Sequence, residues 1–179
     1  ALGRGSGTGP PPPGAHGPVS AFWNFSVRLY AQEGVKPACL ALQSAGMDVN
    51  VGLWIVWSSL NGRDPGPALG QAVDVSALWS AQVVKPLRYA RDHLKHPMPS
   101  MDGPAALALR KSVLAAELEA EKLEQNALEA LTRSCPESDS VEGRDLALKR
   151  VHDYAARLGL SAACAGAFVE NVFEAAKNV

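Results

Sequence analysis

The stretch DVNVGLWIVWSSLNG, Asp48 to Gly62, decides how this chain folds. Asp48 is a good helix N-cap and Asn61-Gly62 a stop signal, and between them Leu53, Trp54, Ile55, Val56 and Trp57 follow one another almost without a polar side chain. A helix apolar on nearly every side has no face to give to water, so it belongs at the centre of a bundle with other helices laid around it. The run is too short to cross a bilayer, which takes ~20 apolar residues, and Asn50 interrupts its start.

Working outward, Ser20 is the expected cap of a first helix reaching about Ala31, with Phe22, Phe25, Val27 and Leu29 at amphipathic spacing. A short second helix follows Pro37, carries Cys39 and Leu42, and stops at Gly46. Beyond the Gly62–Gly70 loop, Asp74 is the predicted cap of a fourth helix running from Val75 to about Lys95, bent at Pro86 and apolar at Leu78, Trp79, Val83, Leu87 and Leu94. Asp102-Gly103-Pro104 then opens the longest helix, to about Leu131, with Leu109, Val113, Ala116, Ala120, Leu123 and Ala127 as its expected buried stripe. A sixth helix carries Val141, Leu146, Leu148, Val151, Tyr154, Ala155 and Leu158 to the Gly159 stop. Ser161 caps a last one with Cys164, Phe168, Val172 and Phe173. No stretch alternates with period two for long enough to compete as a strand.

The expected fold is therefore all-α: a compact bundle of about six or seven helices forming one domain over residues 20–179, behind a disordered Gly/Pro-rich leader over 1–19. Hydrophobic residues make up 47% and charged residues 20% of the 179, the balance of a globular protein. A net charge of -1 supplies no global field for nucleic acid or an anionic membrane, so neither is an expected partner. Cys39, Cys135 and Cys164 are widely spaced with no CxxC pair, and no basic segment leads into an apolar run at the start. Reduced thiols and a cytoplasmic location are the expectation.

Phe22 to Trp57 carries the pattern FW-x-FS-x-x-LY, then GV, ACL-x-LQ and G-x-DVN, falling on Phe22, Trp23, Phe25, Ser26, Leu29 and Tyr30, then Gly34 and Val35, Ala38 to Leu40, Leu42 and Gln43, and Gly46 with Asp48 to Asn50. A second pattern, W-x-x-x-VV-x-PLR-x-x-R-x-x-LK, runs from Trp79 to Lys95. In both, the chain resembles a proteobacterial family of small helical proteins carrying a domain of unknown function. The resemblance covers about half the chain. It implies an all-helical cytoplasmic protein and no particular activity. The leader has no counterpart in it, which makes residues 1–19 dispensable in expectation.

Chemistry candidates are few. His93 and His96 lie three apart with Asp92 beside them, but Pro97 disfavours helix at His96, so a frayed helix end is expected rather than a metal site. His152 and Asp153 are adjacent, so on a helix they do not face each other. Cys39 and Cys164 fall on apolar faces, and Cys135 sits in a polar turn where exposure is expected. No nucleophile elbow, phosphate-binding loop or zinc-protease pattern occurs, so no catalytic residue and no cofactor is assigned.

Two surfaces stand out. Lys85, Arg88, Arg91 and Lys95 align at helical spacing, either as an anchor for an acidic partner or as a match to Glu117, Glu121 and Glu124 on the long helix. Trp54, Trp57 and Trp79 crowd the first half, as core or as the lining of a pocket that Tyr30 and Asn50 would orient. The leading expectation is a non-enzymatic interaction or regulatory protein engaging another protein through Trp54, Trp57, Trp79, Tyr30, Asn50, Arg88, Arg91 and Lys95. The alternative is a small apolar-ligand binder, or an enzyme of unrecognised type, with a pocket among helices one, three and four.

Overall fold

Asp48 Oδ1 accepts the backbone N–H groups of Asn50 at 2.8 Å and Val51 at 3.3 Å and so starts the central helix, α3, Val49–Leu60. In the computed structural model, which describes residues 20–139 and 143–179, this helix touches α1 (Ala21–Tyr30), α2 (Val35–Ser44), α4 (Leu69–Trp79), α6 (Gly103–Thr132), α7 (Gly143–Arg157) and α8 (Ala165–Ala176). Val51, Leu53, Trp54, Ile55 and Val56 are wholly buried, as a helix apolar all round requires. α5, Lys85–His93, continues α4 through a π turn at Ser80–Val84, so the pair is one bent rod and the bundle has seven rods among the described residues. The widened turn lies directly before Pro86, whose ring cannot donate to the carbonyl one turn back.

Close approach to α3 depends on Gly52, where an added Cβ would lie 2.5 Å from Leu42 Cδ2 and 3.2 Å from Phe168 Cζ. The absent side chain lets α2 and α8 press their apolar faces onto the central helix. On the other side, Trp54 donates its indole N–H to Thr132 Oγ1 at 2.8 Å, and Thr132 Oγ1 also meets Ser58 Oγ at 3.0 Å. α7 is pinned to the loop after α3 by Arg150, which grips both carboxylate oxygens of Asp64 at 2.7 and 2.6 Å. No strand occurs among the described residues, and the lone Arg63–Glu137 bridge only ties two loops together.

Several expectations are corrected. Asp74 does not cap a helix: the rod starts at Leu69, wound out of a 3-10 turn at Gly66–Ala68, and Asp74 is an exposed residue inside it. The long helix does not bury its expected stripe, since Leu109, Ala116, Leu123 and Ala127 are exposed. Of that stripe only Ala120 is buried, on a face it shares with Ala106, Glu117, Glu124, Gln125, Leu128 and Thr132. With alanine and leucine scattered around the whole helix, apolar spacing did not define one face, and the acids of the face that turns inward find hydrogen-bond partners on other helices. Cys135 is buried, its thiol directed at the Leu131 carbonyl, while Cys164 is half-buried at the start of α8. The leader over 1–19 and Val141 lie outside the described residues.

Candidate functional site: a polar cleft at the head of the central helix

The inward face of α6 is a row of polar groups that engage side chains and backbone of the neighbouring helices. Glu129 accepts an N–H of the first turn of α1 from Phe22 at 3.0 Å, and the Ala120 carbonyl accepts the Trp79 indole N–H at 2.9 Å. Glu117 is gripped by Arg88 Nε at 2.9 Å and Arg91 Nη1 at 2.7 Å, and Arg88 also reaches Glu121 at 3.1 Å. Two of the four cations in the basic stripe are thus satisfied inside the molecule. Lys95 pairs with Asp92 on its own helix end at 2.8 Å.

Between this row, α1, the start of α3, the α4–α5 rod and α7 lies a cleft of about 940 Å³. Its inner wall is a chain of side-chain hydrogen bonds: Gln125 Nε2 donates to Asn50 Oδ1 at 2.8 Å, and Asn50 Nδ2 donates to Glu124 Oε2 at 3.1 Å. When ionised, Glu124 only accepts, so it dictates the orientation of Asn50, and Asn50 dictates that of Gln125. Gln125 Oε1 is consequently left without a protein donor, as are Glu124 Oε1 and the hydroxyls of Ser26 and Ser76. All four side chains are buried to within a few per cent and all line the cleft. Ser76 faces Glu124 closely enough to ease its ionisation, yet the two make no hydrogen bond within 3.5 Å.

The electrostatics follow from burial. Glu124 is pushed up to about 7, first by loss of water and then by the nearby charge of Asp48. Asp48 is itself raised by burial, against the pull of the two backbone N–H groups it caps and of Arg88 and Lys85. Glu121 is raised by burial, and the neighbouring charge of Glu117 adds to this while Arg88 opposes it. Tyr154 Oη accepts the Asp48 backbone N–H at 2.9 Å, and burial lifts its phenol to about 12. Tyr30 leaves 42% of its surface exposed, but its hydroxyl end lies toward buried Cys39, and that local burial raises its pKa. Apolar wall is supplied by Trp23, Val27, Val73 and Val84.

Of the residues singled out in the sequence, Tyr30, Asn50 and Arg88 line this cleft. Trp54 is core, Trp57 packs on Phe22 with ring centroids 5.3 Å apart, and Trp79 borders a separate apolar groove of about 280 Å³ with Val75, Leu78 and Leu123. Arg91 and Lys95 stand outside the cleft. Sequence reading missed Ser26, Ser76, Gln125 and Tyr154 as site residues and took Asp48 only as a cap. The available signal was Asn50 itself, a polar side chain in an otherwise apolar helix that needs buried partners. His93 is not part of a metal cluster: it stacks on Tyr89 at 4.0 Å, its Nδ1 lies 3.0 Å from the Tyr89 carbonyl, and no group of three potential ligands occurs among the described residues.

Residues 21–128 match the family described as "Protein of unknown function (DUF2390)". The chain belongs to this family. In this DUF2390 member the matched segment runs from α1 through most of α6 and so holds Ser26, Asp48, Asn50, Ser76, Glu124 and Gln125, whereas Tyr154 comes from α7 beyond it. No curated protein matches the chain, and no solved structure does. No helix among the described residues is long and apolar enough to cross a membrane.

Proposed function

We propose that this chain is a small-molecule binding protein and that the cleft between α1, α3, α4, α6 and α7 is its binding site. The observation that carries this reading is the convergence of four buried polar side chains, each with an oxygen lacking a protein partner, on a cleft large enough for a metabolite. A buried polar group without a partner costs about 1–3 kcal/mol, a penalty a ligand's own hydrogen bonds remove. Asp48 and Glu124 are each committed to a structural contact, a helix cap and the Asn50 link, which favours holding a molecule over transforming one.

The test uses Trp23, the indole on the cleft wall. A metabolite screen read by Trp23 emission and thermal shift should return compounds that raise stability by about 2.7 kcal/mol at a hundred times Kd. Ala77→Trp places a ring on an exposed position that faces the cleft, and it should abolish those responses while leaving the helical circular dichroism intact. Hits that survive Ala77→Trp unchanged would show that the molecule binds elsewhere.

A protein partner is the second reading, favoured by exposed Leu78 and Leu123 on the rim of the apolar groove beside Trp79. A stoichiometric partner captured by the wild-type chain and lost with Leu78→Asp and Leu123→Asp would support it.

A further inference from the structure

We propose that the ligand of the cleft is an organic cation bearing at least two N–H donors, a primary ammonium or a guanidinium, seated between Glu124, Gln125 and Asp48. This deepens the cleft reading and rests on it. The first argument is donor and acceptor accounting. The Gln125–Asn50–Glu124 chain uses amide N–H groups of Gln125 and Asn50 internally and leaves two buried acceptors without a donor, Glu124 Oε1 and Gln125 Oε1. Ser26 and Ser76 can accept as well as donate, so a molecule rich in donors satisfies every buried oxygen here. A carboxylate or phosphate brings acceptors to acceptors and meets repulsion.

The second argument is charge. Glu117 is paired with both Arg88 and Arg91 and Glu121 with Arg88, while Arg91 also reaches Asp92. Asp48 and Glu124 receive hydrogen bonds from neutral groups only: backbone N–H groups for the one, the Asn50 amide for the other. Lys85 is exposed and makes its influence felt at Asp48 from a distance. Three acids lining the cleft, Asp48, Glu121 and Glu124, against two bases, Lys85 and Arg88, leave one positive charge to be supplied, and Glu124 itself carries one of the orphaned acceptors. The apolar walls at Trp23, Val27 and Val73 then suit a hydrocarbon body attached to the cationic head.

The third argument is that both groups are poised to respond. Burial raises both Glu124 and Asp48, and the charge of Asp48 lifts Glu124 further, so a seated cation would pull both down and expel a proton near neutrality. The groups acting on Glu124 are Asp48 at the cap of α3, Asn50 in α3, Ser76 from α4 and Glu121 on α6 itself, with Tyr154 from α7 in its field and Lys85 and Arg88 from α5 lining the same cleft. Among these, Arg88 is already bonded to Glu117 and Glu121, and Lys85 is exposed to solvent.

The experiment titrates the full chain with butylamine, butylguanidine, butyltrimethylammonium, butanol, butyrate and potassium chloride, read by the Trp23 indole resonance and by calorimetry in two buffers of different ionisation enthalpy. Butylamine and butylguanidine should bind at least about tenfold more tightly than the other four, the worth of one charge-assisted hydrogen bond. Their binding should release protons at pH 7, and Glu124→Gln should weaken them at least tenfold without changing the circular dichroism. Ala77→Trp should remove them altogether. Equal binding of butyltrimethylammonium would overturn the need for N–H donors, and equal binding of potassium would make this an inorganic ion site. Butanol or butyrate binding in the cleft without the amines, and lost with Ala77→Trp, would overturn the cationic class while leaving the cleft reading in place. Amines that bind equally well to the Ala77→Trp chain would overturn both.

Discussion

Asn50 donates its side-chain amide to Glu124 Oε2 at 3.1 Å, so a residue in the first turn of the most apolar helix holds a buried carboxylate on the helix opposite. The single amide link compensates only part of what burial costs that charge, hence the rise to about 7. Below the ordinary carboxyl range both folded and unfolded chains hold this proton. Between that range and pH 7 only the folded chain does, so stability should fall as pH rises, by about 3 kcal/mol from Glu124 in all. Asp48 acts in the same direction, whereas Asp64, held low by Arg150, destabilises only on acidification. Urea midpoints at pH 5.5 and 8.5 should differ for the wild-type chain and converge for Glu124→Gln. A wild-type chain no less stable at pH 8.5 would contradict this.

Charge reversal of the basic stripe has a different expected outcome in the fold than in the sequence. As a solvent-facing stripe, Arg88 and Arg91 could become glutamates with the fold intact. Here both reach Glu117, whose side chain is 4% exposed, and replacing them would bury that carboxylate against two more. Arg88→Glu with Arg91→Glu should cost about 3–5 kcal/mol, as breaking a buried pair does. Adding Glu117→Gln should return part of the loss.

Thr132 is the hub through which α6 holds the core tryptophan. Thr132→Val keeps the shape but strands the Trp54 indole N–H and Ser58 Oγ, at about 1–3 kcal/mol for each stranded group. Thr132→Ser should be far milder because the hydroxyl remains. Trp54→Ala should cost about 3–5 kcal/mol through the cavity it leaves, and a loss below about 1 kcal/mol would mean the ring is not packed.

Gly52→Ala probes the close packing of α2 and α8 on the central helix. Its methyl would press on Leu42 and on the Phe168 ring, both buried side chains with little room to withdraw. The alanine gains helix propensity, but overpacking costs about 1–3 kcal/mol, so a net loss of stability by denaturant titration is expected. A stabilised variant would show that α2 and α8 can shift outward freely.

Alone, the sequence determined the helices around the centre. Asp48 with its apolar run fixed α3, Ser20 with Phe22, Phe25 and Leu29 fixed α1, and the Pro86 bend marked the rod that widens into a π turn, because caps, stops and prolines act on the backbone locally. Only the tertiary structure decided which side of α6 faces in. A carboxylate's preference for water is overturned only by partners far along the chain: Arg88 and Arg91 for Glu117, Asn50 for Glu124. For the same reason the cleft was half legible. Tyr30 and Asn50 were visible as polar groups among rings, while Ser26, Ser76, Gln125 and Tyr154 became candidates only when four separate helices brought them to one cleft.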